Sequence, residues 1–225
     1  MKASHSHDPS ESEGIGSVGY FGTYYGNREP GWYTFLLRDV IERGKPGTLL
    51  ELGCGTGLFL ELAARWGLQV AGVEGSAEAV ALAKERFPKL DIIHRRLSNE
   101  LPFLDKSCDN VVLNQVIEHL PPNVLKNALD ESFRVLRPGG IIFIFSPGKA
   151  NWREVQKDPT HCNPLYPSEL RWQLRNSGFK MVFEPNSLRF LTRTPRVQKV
   201  VWKLTNRYFE DWLSATANAV AQRPN

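Results

Sequence analysis

Cysteine is scarce and scattered in this chain: Cys54, Cys108 and Cys162 are the only three in 225 residues. None forms a C-x-x-C pair, so neither a zinc cluster nor a disulfide framework is expected. No run of about 18 apolar residues occurs, so no membrane-spanning helix is expected. The first residues are polar (His5, His7, Asp8, Ser10, Glu11, Glu13). They lack the charged-then-apolar pattern of a secretory signal, and cytoplasmic residence is the expectation. Charge of one sign is also lacking: the net +4 is too small to argue for a nucleic-acid partner. What is present is a globular composition, 41% hydrophobic and 23% charged, with length enough to bury one domain's core.

One stretch organises the rest: Leu49-Leu50-Glu51-Leu52-Gly53-Cys54-Gly55-Thr56-Gly57-Leu58-Phe59-Leu60. Apolar residues with an acid among them run into three alternate glycines and then resume. That pattern predicts a buried strand, a tight turn and the start of a helix. Without Cβ atoms the turn lets a ligand approach the backbone closely. Strand, turn and helix N-terminus together make a nucleotide-sized pocket. Dinucleotide enzymes use G-x-G-x-x-G at such a turn. Counted from Gly53, their third glycine would fall on Leu58. The spacing here is G-x-G-x-G instead. Cys54 serves as a small spacer within it, not as a nucleophile.

The elements follow in alternation. Residues 1–19 are polar and without periodicity, which predicts a disordered tail. The aromatic cluster Tyr20–Tyr25 precedes a helix over Trp32–Ile41, with Trp32, Phe35, Leu36 and Val40 on its spacing. Strands are predicted at Thr48–Leu52, Gln69–Glu74, Asp91–His94, Asp109–Asn114, Ile141–Phe145 and Phe179–Phe183. Helices are predicted from Gly57 to Trp66, after a Ser76 cap to Phe87, from Pro122 to Leu136 with Pro138-Gly139-Gly140 as its stop, and from Pro167 to Gly178. A weak last strand falls at Thr216–Gln222. The fold class is therefore α/β: a Rossmann-like, doubly wound, mostly parallel sheet with helices on both faces. Residues 20–225 are read as one domain. It holds an insertion at 191–213, basic and amphipathic from Pro195, that could pack on the domain, on a membrane surface or on a second subunit.

Motif I, Glu51-Leu52-Gly53-Cys54-Gly55-Thr56-Gly57, resembles that of the class I S-adenosylmethionine (SAM) methyltransferases. Glu74 about 20 residues after the turn, Leu101-Pro102-Phe103, Glu118-His119 and Arg134-Val-Leu-Arg-Pro-Gly-Gly140 match the family in order. The likeness is greatest to small-molecule enzymes of the ubiquinone-biosynthesis type and to relatives acting on sugars or lipid-linked intermediates. It implies SAM as cofactor and a seven-stranded sheet whose strand 7, best matched by Thr216–Gln222, runs antiparallel beside strand 5. Gly53, Cys54 and Gly55 would present backbone to the amino-acid portion, ordered by Glu51. Glu74, with Gly75 after it, would hold the ribose. Leu97 and Ser98 would flank adenine, although the family's acid there is replaced by Leu97. Asn114 and Gln115 would lie near the sulfonium, and the aromatic cluster with Tyr24 has two readings, an arm packed on the core or a lid over the cofactor.

The resemblance further implies direct transfer of a methyl group to a small-molecule acceptor, with no metal required. An oxygen acceptor gains from a general base. His119 and His161 are the candidates, with the block Asp158-Pro159-Thr160-His161 favouring His161. Two rival functions stand beside this one: a SAM-binding module without catalysis, and a nicotinamide-dependent oxidoreductase, which Leu58 argues against.

Overall fold

The computed structural model describes residues 30–183 and 216–225. Tyr24, the tail at 1–19 and the amphipathic segment at 191–213 lie outside the described residues. Chain order is α1 (Pro30–Arg43), β1 (Thr48–Leu52), α2 (Leu58–Arg65), β2 (Gln69–Glu74), α3 (Ala77–Arg86) and β3 (Asp91–His94). Then come β4 (Cys108–Asn114), a 3-10 turn (Ile117–His119), α4 (Pro122–Val135) and β5 (Leu136–Phe145). The chain closes with α5 (Trp152–Val155), α6 (Pro167–Asn176), β6 (Lys180–Phe183) and β7 (Ala219–Gln222).

The sheet has seven strands in the order β3-β2-β1-β4-β5-β7-β6. Pairings from β3 to β5 are parallel, and β7 runs antiparallel between β5 and β6. The order reverses between β1 and β4, and ligands of doubly wound sheets bind at that switch point.

Strand side chains alternate faces, which splits the interior into two cores. Leu49, Val112, Ile141 and Phe143 pack with Tyr33, Leu36, Leu37, Val40, Phe59 and Val80 of α1, α2 and α3. Leu50, Leu52, Val111, Leu113, Ile142 and Ile144 pack with Leu125 and Leu129 of α4 and Leu170 and Leu174 of α6. Near-continuous apolar runs in β4 and β5 are the signature of strands covered on both sides.

Two sequence expectations change. In α1 the buried stripe is Tyr33, Leu36, Leu37 and Val40, while Phe35 is 69% exposed. The i, i+3, i+4, i+7 set from Tyr33 is the face the sheet covers. Leu136 to Gly140 belongs to β5, not to a helix stop. Leu136 pairs with Cys108 before a register shift, so the Pro-Gly-Gly segment is a bulged lead-in to the strand.

Candidate active site

The glycine turn joins β1 to α2 at the carboxyl edge of the sheet. Gly53 has φ +72, and a Cβ there would stand 2.7 Å from Val116 Cγ2. Gly57 has φ +80, and a Cβ there would sit 3.1 Å from both Ile92 and Leu90. Both positions therefore require glycine. The amides of the turn point inward. Gly53 and Cys54 donate to the Val73 carbonyl (2.7 and 3.1 Å), and Gly55 donates to Glu74 Oε2 (2.8 Å).

Glu51, Gly53, Cys54, Gly55 and Asn114 line one cleft beside this turn. All five were expected cofactor contacts. Tyr33, Thr56, Leu58 and Phe59 complete the wall. Thr56, Leu58 and Phe59 belong to the Leu49–Leu60 stretch, whereas Tyr33 lies off the spacing expected for its helix.

Two buried atoms on this wall have no hydrogen-bond partner: Glu51 Oε2 and Asn114 Oδ1. A buried polar group without a partner costs about 1–3 kcal/mol, and a ligand that satisfies it recovers that cost. Both atoms are acceptors at the ends of adjacent strands. Burial, and then the nearby Glu74 carboxylate, hold the Glu51 carboxyl well above the usual carboxylate range. Glu74 is also raised by burial, against the opposing pull of backbone N–H groups from Ser76, Gly55 and Gly75.

The cleft thus presents acceptors and acids, while the N–H groups of Gly53, Cys54 and Gly55 are already used. A pyrophosphate needs donors at this turn. An ammonium or sulfonium group needs what is there.

The other expected contacts, Glu74, Gly75, Leu97, Ser98 and Gln115, are not among the residues that line this cleft. The Glu74 carboxylate ties the turn together, accepting from Gly55 and from the Ser76 N–H (2.8 Å). Gly75 is exposed and its carbonyl accepts from His94 Nε2 at 3.0 Å, a role for His94 that the sequence did not show. Leu97 is buried, and its carbonyl accepts from Asn127 Nδ2 (2.7 Å), while Ser98 is exposed. Gln115 follows β4 with φ 56, a left-handed conformation rare outside glycine and concentrated at functional sites.

Beyond Gln115 a second polar group forms. Glu118 is fully buried, and Ser146 Oγ donates to its Oε2 (3.0 Å). His119 is 7% exposed, and its Nδ1 lies 2.8 Å from Thr160 Oγ1. The loop between β5 and α6 is stitched to this turn by two further bonds. Asn163 N–H donates to the Glu118 carbonyl (2.9 Å), and Cys162 Sγ donates to the His119 carbonyl (3.3 Å). His161 comes to 4.7 Å from His119, ring centroid to ring centroid. One nitrogen or oxygen from each of Glu118, His119 and His161 lies within 4.8 Å of the others. The two histidines named from sequence therefore meet, and Glu118, Ser146 and Thr160 join them.

A switch-point cleft that offers acceptors to a cation defines the class: a SAM-type site in a doubly wound domain. Residues 50–144 match the family described as the methyltransferase domain. A probable S-adenosylmethionine-dependent methyltransferase of Mycolicibacterium smegmatis is 38% identical over 157 residues, 66% of this chain and 60% of that protein. A ubiquinone biosynthesis O-methyltransferase of Pelagibacter ubique is 35% identical over 118 residues, 51% of this chain and 48% of that protein. A solved SAM-dependent methyltransferase of Archaeoglobus fulgidus shares the fold, with a TM-score of 0.68 at 22% identity, covering 92% of this chain and 100% of that one. Over residues 50–144 the chain carries a methyltransferase domain, and it spans about half to three fifths of the two curated relatives' length.

Proposed function

We propose that the protein transfers a methyl group from SAM to a small-molecule acceptor, at oxygen. The observation that carries this is the pair of unpartnered buried acceptors, Glu51 Oε2 and Asn114 Oδ1, facing the cleft beside the glycine turn. They suit the α-ammonium of SAM's amino-acid end. Glu74, Gly75, Leu97 and Ser98 are assigned to the nucleoside, and Gln115 to the methionine end.

SAM supplies an already activated methyl group. The chain's own part is to align the two reactants and exclude water. A polar acceptor beyond Gln115 would meet His119 and His161, and one of these takes its proton. Oxygen as the acceptor atom is favoured by that histidine pair and by the O-methyltransferase named above. The acceptor is read as a small molecule because no nucleic-acid motif accompanies the domain. Cytoplasmic residence belongs to the same proposal and fits three free cysteines. Among the described residues no helix is long and apolar enough to cross a membrane. Any membrane or subunit contact through 195–213 is likewise part of the proposal.

Calorimetry with SAM, S-adenosylhomocysteine and NAD tests the cofactor assignment: the first two bind and NAD does not. Labelled-methyl transfer into cell extract, with identification of the labelled product, tests the reaction. Tight SAM binding without any labelled product would favour a binding module over an enzyme.

A further inference from the structure

His119 is held differently from its neighbour. Thr160 Oγ donates to Asp158 Oδ1 at 2.6 Å, and the same oxygen accepts the Thr160 N–H at 2.9 Å. The hydroxyl has one proton, and it is committed to the carboxylate. At 2.8 Å from His119 Nδ1, Thr160 Oγ1 can then act only as the acceptor. The ring must carry its proton on Nδ1.

We propose that Asp158 and Thr160 are positioning residues that fix His119 in the tautomer whose Nε2 holds a lone pair, making Nε2 the atom that takes the acceptor's proton. This rests on the methyl-transfer reading above. The step balances as follows. Nε2 gains the hydroxyl proton, the acceptor oxygen uses the freed pair to bond the methyl carbon, and sulfur keeps the pair of the broken S–C bond. The single positive charge passes from sulfonium to imidazolium. Asp158, two hydrogen bonds away, stabilises that imidazolium; a carboxylate behind a catalytic imidazole sets both its tautomer and its charge.

His161 lacks such backing. Its Nδ1 faces the Val155 carbonyl at 3.0 Å, a neutral acceptor, and the side chain is half-buried. The sequence block around Asp158 had favoured His161; the hydrogen bonds give the carboxylate-linked place to His119. The linking residue, Thr160, stands 41 positions away from His119.

The experiment reads the tautomer directly and needs no acceptor. The full chain is labelled with nitrogen-15 in histidine, and the ring nitrogens are assigned with the His119→Gln variant. In the wild type, His119 Nδ1 is expected as the protonated nitrogen and Nε2 as the bare one. The near-isosteric Thr160→Val removes the acceptor, and the Nδ1–H population falls severalfold toward the Nε2–H form that free imidazole prefers. Thr160→Ser restores the wild-type pattern. Calorimetric binding of SAM to each variant checks that the fold is intact. A wild-type ring protonated on Nε2 overturns the proposal, and so does an unchanged tautomer in Thr160→Val. Either result would leave the methyl-transfer reading standing, since that reading fails only on loss of SAM binding or of labelled product.

Discussion

Replacing Glu51 by Gln keeps the side-chain shape and removes one charge, which makes it the sharpest probe of the cleft. Glu51 is 2% exposed and one carboxylate oxygen has no protein partner. If that oxygen receives the cofactor's ammonium, an ion pair becomes a hydrogen bond from a cation to a neutral amide oxygen. Loss of the acceptor's charge is worth about 1–2 kcal/mol. Dissociation constants for SAM and for S-adenosylhomocysteine should both rise about 5- to 30-fold by calorimetry. Wild-type binding should also release a proton, because the raised carboxyl ionises when the ammonium arrives; the variant should lose that buffer-dependent heat.

Stability should move the other way. A carboxyl whose folded pKa is raised gives its full contribution below the unfolded value of about 4.3 and loses it as pH climbs toward the folded value. The variant has no such loss. Urea denaturation should therefore show Glu51→Gln gaining on the wild type as pH rises from about 4 to 8. An unchanged SAM affinity, or a wild type that gains on the variant with rising pH, would refute the reasoning.

Three further outcomes are expected. Gly53→Ala should cost about 2–4 kcal/mol in denaturant unfolding, from left-handed strain and the overlap with Val116, and Val116→Ala should restore only the second part. Arg134 donates to the Leu101 and Phe103 carbonyls and pairs with Glu131 and Asp105. Arg134→Met should cost about 2–3 kcal/mol and weaken SAM binding, because the segment it holds follows the expected adenine contacts. Phe143 is fully buried at the centre of one core, so Phe143→Ala should cost about 3–5 kcal/mol with no specific change in cofactor selectivity.

Strands were legible where burial wrote itself into composition. β1, β2 and β3 begin and end at the residues the apolar runs indicate. The switch-point pocket followed from the same signal, because glycines at a strand end have few other uses. What stayed hidden is tertiary. Pro138-Gly139-Gly140 reads as a helix stop, and only its pairing partner across the sheet reveals a strand lead-in. Phe35 and Tyr33 sit on neighbouring spacings in α1, and composition cannot choose which face the sheet covers. Tyr33 and Phe59 reach the cleft through packing, with ring centroids 6.3 Å apart. Glu118 met Ser146, and His119 met Thr160, across 28 and 41 residues, distances that no motif spacing encodes.

Glu51 would hold an end of its ligand that chemistry leaves untouched. Donor and spent nucleoside carry the same amino-acid handle, so this carboxylate cannot tell a loaded molecule from a used one. Product and donor would then compete for the same handle, and accumulated product would inhibit until something downstream clears it.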